Sequence, residues 1–236
     1  MTLSNDSLDL SFDADLATIP GLHYLPWIGR QFRVRHTKVL LVAESVYNWE
    51  PSSKTTTAAV ESKDFCRTVV SEHGFFYKME KPWPDIINSK IARPLERLLL
   101  GDPVTNKKRE SLWESVAFHE LVQRPMMSRG ERPSSADYQL GGKVLVDLVK
   151  MLEVTSVIFL GTDPRKLIGI TPHLVNGLQW HEKIGKSVPR TGMLSASSFV
   201  MIRHPSAYFR LSDWTTHLDK VHPEIRQSFD DIRRES

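Results

Sequence analysis

The run Lys38-Val39-Leu40-Leu41-Val42-Ala43 constrains the fold most. After its lysine it holds no polar residue, so neither face of a strand built from it can look at water. That is the pattern of a strand covered on both sides in a parallel sheet. Three further candidate strands follow: Ser115 to Val122, Thr155 to Leu160 and Ser198 to Ile202. Each is separated from the next by helical pattern. Parallel strands need crossover connections, and helical crossovers cover both faces of the sheet. The sequence therefore predicts an open α/β sheet with helices on both sides.

The clearest helix spans Ser135 to Glu153. Leu140, Val144, Leu148 and Leu152 recur every four residues, with Leu145 and Val149 beside them. Ser134 or Ser135 can cap its start, and Asp137 suits the positive end of the helix. Gly141 and Gly142 weaken it by ~1 kcal/mol each, so packing has to compensate. Residues 61–73 and 84–100 also read as helical, the second broken or kinked at Pro94. Residues 212–234 read as one or two closing helices. Residues 1–20 carry four Asp and no Lys or Arg, which predicts an acidic arm, flexible or loosely docked, ahead of one domain over 21–236.

Composition removes several classes. One cysteine, Cys66, allows no disulfide within the chain and no cysteine-held zinc site or iron–sulfur cluster. His173, His181, His217 and His222 lack ligand spacing, so no metal is expected. Trp180, beside His181, reads as packing. No Gly-rich nucleotide loop or nucleophile-elbow motif is present, so no cofactor is expected and a small-molecule α/β enzyme is disfavoured. No run approaches the ~18 apolar residues of a membrane span. The acidic start is the opposite of a signal peptide. The expectation is a cytoplasmic monomer. The net charge is +3, and the first twenty residues carry −4, so residues 21–236 carry +7. An acidic arm on a basic body suits a polyanion partner.

Ligands of open α/β sheets bind beyond the carboxyl ends of the strands. Two polar, aromatic segments stand there: Glu44-Ser45-Val46-Tyr47-Asn48 after the first strand, and Arg203-His204-Pro205-Ser206-Ala207-Tyr208-Phe209-Arg210 after the last. With Ala43, the first resembles motif one of the uracil-DNA glycosylase superfamily, written G-Q-D-P-Y-H or G-E-A-P-G. Ile202-Arg203-His204-Pro205-Ser206 resembles motif two. Between them, Phe118-His119-Glu120-Leu121-Val122-Gln123-Arg124-Pro125 and Arg132-Pro133-Ser134-Ser135-Ala136-Asp137 resemble the matching stretch of the iron–sulfur branch. Val157-Ile158-Phe159-Leu160-Gly161 resembles its next core strand. The ordered set covers residues 36–220.

The resemblance implies a three-layer α/β/α fold with an open, mostly parallel, four- to five-stranded central sheet. It implies a DNA glycosylase that flips a base from the duplex and hydrolyses its N-glycosidic bond. His204 takes the place of the histidine that donates to the departing base. Glu44 is the candidate for ordering the attacking water or balancing positive charge on the sugar. Tyr47 and Asn48 fall where the motif packs and orients the base. His119 or Glu120, depending on register, replaces the asparagine that reads the uracil edge. Arg124, Arg132, Arg203 and Arg210 are candidates for phosphate contacts, with Ser206 beside them. Tyr208 and Phe209 stand where the superfamily places its duplex wedge.

Three departures redirect the chemistry. The four cluster cysteines of the iron–sulfur branch are absent. Ala43 replaces the first glycine of motif one. Ser45 replaces the aspartate that positions water, and it cannot act as a carboxylate. A carboxylate at the base edge accepts from an exocyclic amine, as with cytosine N4. The expected substrate is thus a damaged or modified base, such as the modified cytosine of phage DNA in a defence role. The alternatives are a uracil-DNA glycosylase of base-excision repair and a non-catalytic DNA-binding member of the same fold.

Overall fold

The computed structural model describes residues 7–47, 60–71, 91–128 and 130–235. Among the described residues, seven strands form one sheet. They are β1 (Trp27–Ile28), β2 (Val39–Ala43), β3 (Ala117–Glu120), β4 (Ser156–Leu160), β5 (Leu174–Trp180), β6 (Arg190–Leu194) and β7 (Ser197–Ile202). Their spatial order is β1-β3-β2-β4-β7-β6-β5. The four inner strands β3-β2-β4-β7 are parallel, with Leu40 opposite Ala117 and Val157, and Ile158 opposite Val200. These are the four strands visible as apolar runs.

The other three strands correct the expected count of four to five. β1 pairs antiparallel on β3, and β6 and β5 add antiparallel beyond β7. β5 is an edge strand with most of its residues in solvent. It lacks the apolar pattern that sequence reading detects.

Strand alternation divides the core in two. Val39, Leu41, Phe118, Ile158, Leu160, Val200 and Ile202 face one side. Leu40, Val42, Ala117, Val157, Phe159, Phe199 and Met201 face the other. The helices are α1 (Asp13–Leu16), α2 (Phe65–Val70), α3 (Ala92–Leu100), α4 (Asn106–Ser115), α5 (Ser135–Met151), α6 (Leu211–Val221), α7 (Pro223–Gln227) and α8 (Asp230–Arg233). α2, α3, α4, α6, α7 and α8 supply apolar side chains to the first layer, and α1 and α5 to the second. The layered α/β class is therefore as expected. The closing segment holds three helices rather than one or two. Pro94 lies in the first turn of α3, where its missing N–H breaks no intrahelical bond.

α5 starts at a reciprocal capping box. Ser134 Oγ accepts from the Asp137 N–H, and the Asp137 carboxylate accepts from the Ser134 N–H. Its two glycines have a packing reason. A Cβ on Gly141 would lie 2.0 Å from Leu121 O, and one on Gly142 would lie 2.4 Å from Gly169 Cα. Only bare backbone allows these approaches. Gly141 lets α5 approach the segment after β3, and Gly142 seats the 3-10 turn Pro164–Leu167, which carries Lys166, against α5.

The described part of the expected arm is docked. Leu8, Phe12, Leu16 and Ile19 are buried, and Leu16 is fully so. Asp9 N–H donates to Ile28 O at 2.8 Å. Buried Arg67 of α2 grips Asp13 through paired guanidinium contacts. The four aspartates made the segment look solvated; the apolar residues spaced between them hold it down.

Candidate functional site

The polar groups gather at the carboxyl ends of the parallel strands. β2 is flanked by β3 on one side and β4 on the other, so successive crossovers leave in opposite directions. Such a switch point opens a crevice beside the end of β2. The loop there is held like a continued strand. Leu121 N–H donates to Ala43 O, Val122 N–H to Glu44 O, and Met126 N–H to Val46 O. Tyr47 forms an isolated bridge with Met126 and leans on the α5-side core. Asn48 lies outside the described residues.

Glu44 leaves the end of β2 with about a fifth of its side chain exposed. Its Oε1 accepts from the Tyr138 hydroxyl at 2.9 Å. Lys166 Nζ lies 3.7 Å from the same oxygen and donates to Leu160 O at 2.8 Å. Lys166 is 2% exposed. Burial pushes its ammonium below the ordinary lysine range, against the pull of Glu44, Glu120 and Asp163. Tyr138 is pushed up by burial and by the Glu44 charge. Glu44 is thus a carboxylate fixed by a phenol and an ammonium, with an open side.

His204 sits at the end of β7, close enough to Lys166 and Glu44 to feel both charges. Burial first, and then Lys166, hold it down to about 4, so the ring is neutral at pH 7. Ser206 N–H and Oγ both lie against Nδ1, at 3.3 and 2.7 Å. With the backbone N–H donating to Nδ1, the ring proton is on Nε2. A neutral imidazole with a free Nε2–H is a hydrogen-bond donor, not a fixed cation.

Alternation along β3 sends His119 and Glu120 to opposite faces. His119 is fully buried, accepts from Gln123 Nε2 at 3.0 Å, and is held down to about 3 by burial alone. Glu120 feels Lys166 and Glu44. Burial first, and then the Glu44 charge, push it up to about 8, with Lys166 opposing. Of the two, Glu120 belongs to the Glu44–Lys166 cluster, and at pH 7 it holds its proton.

The proposed DNA contacts divide. Arg124 is committed inside the fold, to Asp137 at 2.7 Å and Glu131 at 2.7 Å. Arg132 donates to the Tyr47 hydroxyl at 3.3 Å. Arg210 pairs loosely with Asp213 at 3.5 Å and stays exposed. Phe209 does not stand free as a wedge. It stacks on Trp214 at 5.8 Å and packs against the core. Tyr208 is 75% exposed.

Several buried polar atoms at this end have no hydrogen-bond partner among the described residues. They are Ser45 Oγ, His119 Nδ1, Glu120 Oε2, Arg190 Nε and Arg203 Nε. Such groups cost about 1–3 kcal/mol each unless something completes them. A second group, His217 Nε2, His222 Nε2 and Arg226 Nε, lies on the closing helices. A cavity of about 870 Å³ opens at the other end of the sheet, around Gln31, His36, Ser115 and Asp231. Charged groups at its wall are already paired, Arg35 with Asp231 and Ser111 with Glu235. Volume and chemistry thus point to different ends, and the unsatisfied polar atoms favour the carboxyl end.

Lys166 and Tyr138 are the members that motif reading missed. Lys166 follows β4 in Gly161-Thr162-Asp163-Pro164-Arg165-Lys166, a third loop at the carboxyl ends. The rule that selected the other two loops also covers this one. Among the described residues no group of three or more metal-ligating side chains occurs, and no helix is long and apolar enough to cross a membrane. No family model matches the chain, and no curated protein matches it.

Proposed function

We propose that the chain is a DNA glycosylase that hydrolyses the N-glycosidic bond of a flipped base. The observation that carries this reading is the placement of Glu44 and the neutral His204 at the carboxyl ends of β2 and β7, with the buried Lys166 charge acting on both. Excision breaks the bond from C1′ to the base nitrogen. Water adds to C1′, and the base leaves with the bonding electron pair and takes up a proton. Positive charge grows on the sugar and negative charge on the base. Glu44 faces the first demand, through the sugar or through the attacking water. His204 Nε2–H faces the second, as a donor to a base oxygen. One such donor is worth ~3–4 kcal/mol.

Glu120 is the base-reading group in this mechanism. Protonated at pH 7, it offers one O–H donor and one C=O acceptor side by side. That pair matches the N3 and N4 edge of cytosine, and reversed it matches the N3 and O4 edge of uracil. Ionised above about pH 8, it keeps only acceptors, which suit the cytosine amine. The reading therefore favours a cytosine-type base, including the modified cytosines of phage DNA. Uracil is the second substrate the same edge admits at neutral pH.

The test uses oligonucleotides carrying uracil, cytosine or 5-substituted cytosines, scored for alkali-labile abasic sites. Glu44→Gln and His204→Ala should each slow release by roughly 100-fold or more. Glu120→Gln should change the ranking of bases more than the rate on the best one. Absence of abasic sites on every substrate would remove the enzymatic reading.

A further inference from the structure

The β5–β6 hairpin lengthens the face that bears the site. Both β5 and β7 run antiparallel to β6, so the turn over 181–189 projects from the same end as Glu44 and His204. Its tip is closed by two hydrogen bonds between Ile184 and Ser187, at 2.9 and 3.1 Å. Ile184 roots the tip in the core. A Cβ on Gly185 would lie 3.9 Å from Arg203 Nη1, so the tip borders the His204 loop.

Trp180 is built as a platform. Arg190, its partner across the strands, is buried with its guanidinium carbon 4.1 Å from the centroid of the indole. Arg190 Nη1 also donates to Thr162 O at 2.6 Å, in the loop that carries Lys166. One face of the indole is thereby fixed to the site. The residue is 63% exposed, so the other face lies in solvent. Between residues 181 and 210 the chain has five Lys or Arg and a single acid, Glu182. Lys183 and Lys186 are exposed and form no ion pair among the described residues. Tyr208 stands exposed on the adjoining loop.

An indole fixed on one face and open on the other stacks an unpaired base, and neighbouring ammonium groups serve phosphates. A duplex hides its base faces, so the platform selects an unpaired nucleotide. We propose that this hairpin is a contact for a single nucleic-acid strand: Trp180 stacks one unpaired base, and Lys183 and Lys186 hold adjacent phosphates. It deepens the glycosylase reading by naming the substrate as DNA with an unpaired stretch beside the target base. Binding can be measured without turnover, so the two stand or fall separately.

The test is fluorescence anisotropy of the full chain with a labelled single-stranded oligonucleotide, its blunt duplex, and the same single strand made wholly abasic. Trp180→Ala should weaken binding of the normal single strand about tenfold and leave the abasic strand unchanged. Trp180→Phe should recover most of the loss. Lys183→Glu with Lys186→Glu should lower the slope of log affinity against log salt by about 1.4. Lys150→Glu, in the last turn of α5 at the opposite end, should change nothing. Melting curves confirm that the variants fold. Equal binding by wild type and Trp180→Ala, or an equal loss on the abasic strand, overturns the proposal. If no DNA base is ever released but the Trp180 effect holds, the glycosylase reading fails and the hairpin contact stands.

Discussion

At the scale of residues, buried titratable groups should shape the stability of the domain. Burial holds His119 to about 3, His204 to about 4 and His217 to about 4, with Lys166 adding at His204 and His181, His222 and Lys220 adding at His217. The unfolded chain takes up these protons near pH 6.5. Below that pH it binds protons that the folded chain refuses, so stability falls as pH drops from 6.5 toward 4. Glu120 acts in the opposite sense. The folded chain keeps its proton up to about pH 8, while the unfolded chain loses it near 4.5. Stability is therefore lost as pH rises across that range. Three histidines outweigh one glutamate below pH 6.5. Above 6.5 Glu120 lowers stability as pH rises, and Lys166, held below the ordinary lysine range, acts against it. Urea denaturation at a series of pH values should show stability rising from pH 4 to 6.5 and then a decline toward pH 8 to which Glu120 contributes. Glu120→Gln should flatten that decline. A decline that persists in the variant would mean another group causes it.

At the scale of elements, α5 and the turn after β4 form one assembly. By helix propensity alone, Gly142→Ala would stabilise α5 by ~1 kcal/mol. The contact with Gly169 reverses the sign: an added methyl drives into backbone and should cost about 1–3 kcal/mol. It should also displace Lys166 and so slow base release, whereas Lys143→Ala, on the exposed side of the same helix, should do neither. Thermal melts of the two variants decide it. This assembly also explains what was legible beforehand. The four buried strands announced themselves because each is apolar on both faces, and α5 because its period and cap agree. The Glu44 and His204 loops followed from the rule about carboxyl ends. Lys166 did not, because a lone lysine in a polar loop carries no signal of burial; its depth comes from Gly142 and Gly169 meeting across two elements. β5 and β6 were invisible because an edge hairpin needs little apolar pattern. The docking of the N-terminal segment gives little signal because its four anchoring side chains are interleaved with four aspartates.

At the scale of the whole molecule, those anchors should matter. Leu16 is fully buried in the α5-side core, so Leu16→Ala should cost about 2–5 kcal/mol in urea denaturation. A cost under about 0.5 kcal/mol would mean that the segment is not part of the folded body. The order of the strands has a consequence for how the molecule comes into being. Leu40 pairs with Ala117, Val39 with Ser156, and Ser156 in turn with Ser198. None of these partners is a sequence neighbour, and chains dominated by distant pairings close slowly. Glu44, Lys166 and His204 each hang from a different one of these strands. A chain still emerging from the ribosome therefore holds Glu44 and Lys166 before His204, and the three share no geometry until β7 is in place. The cluster is completed in one late step, when the final parallel strand docks.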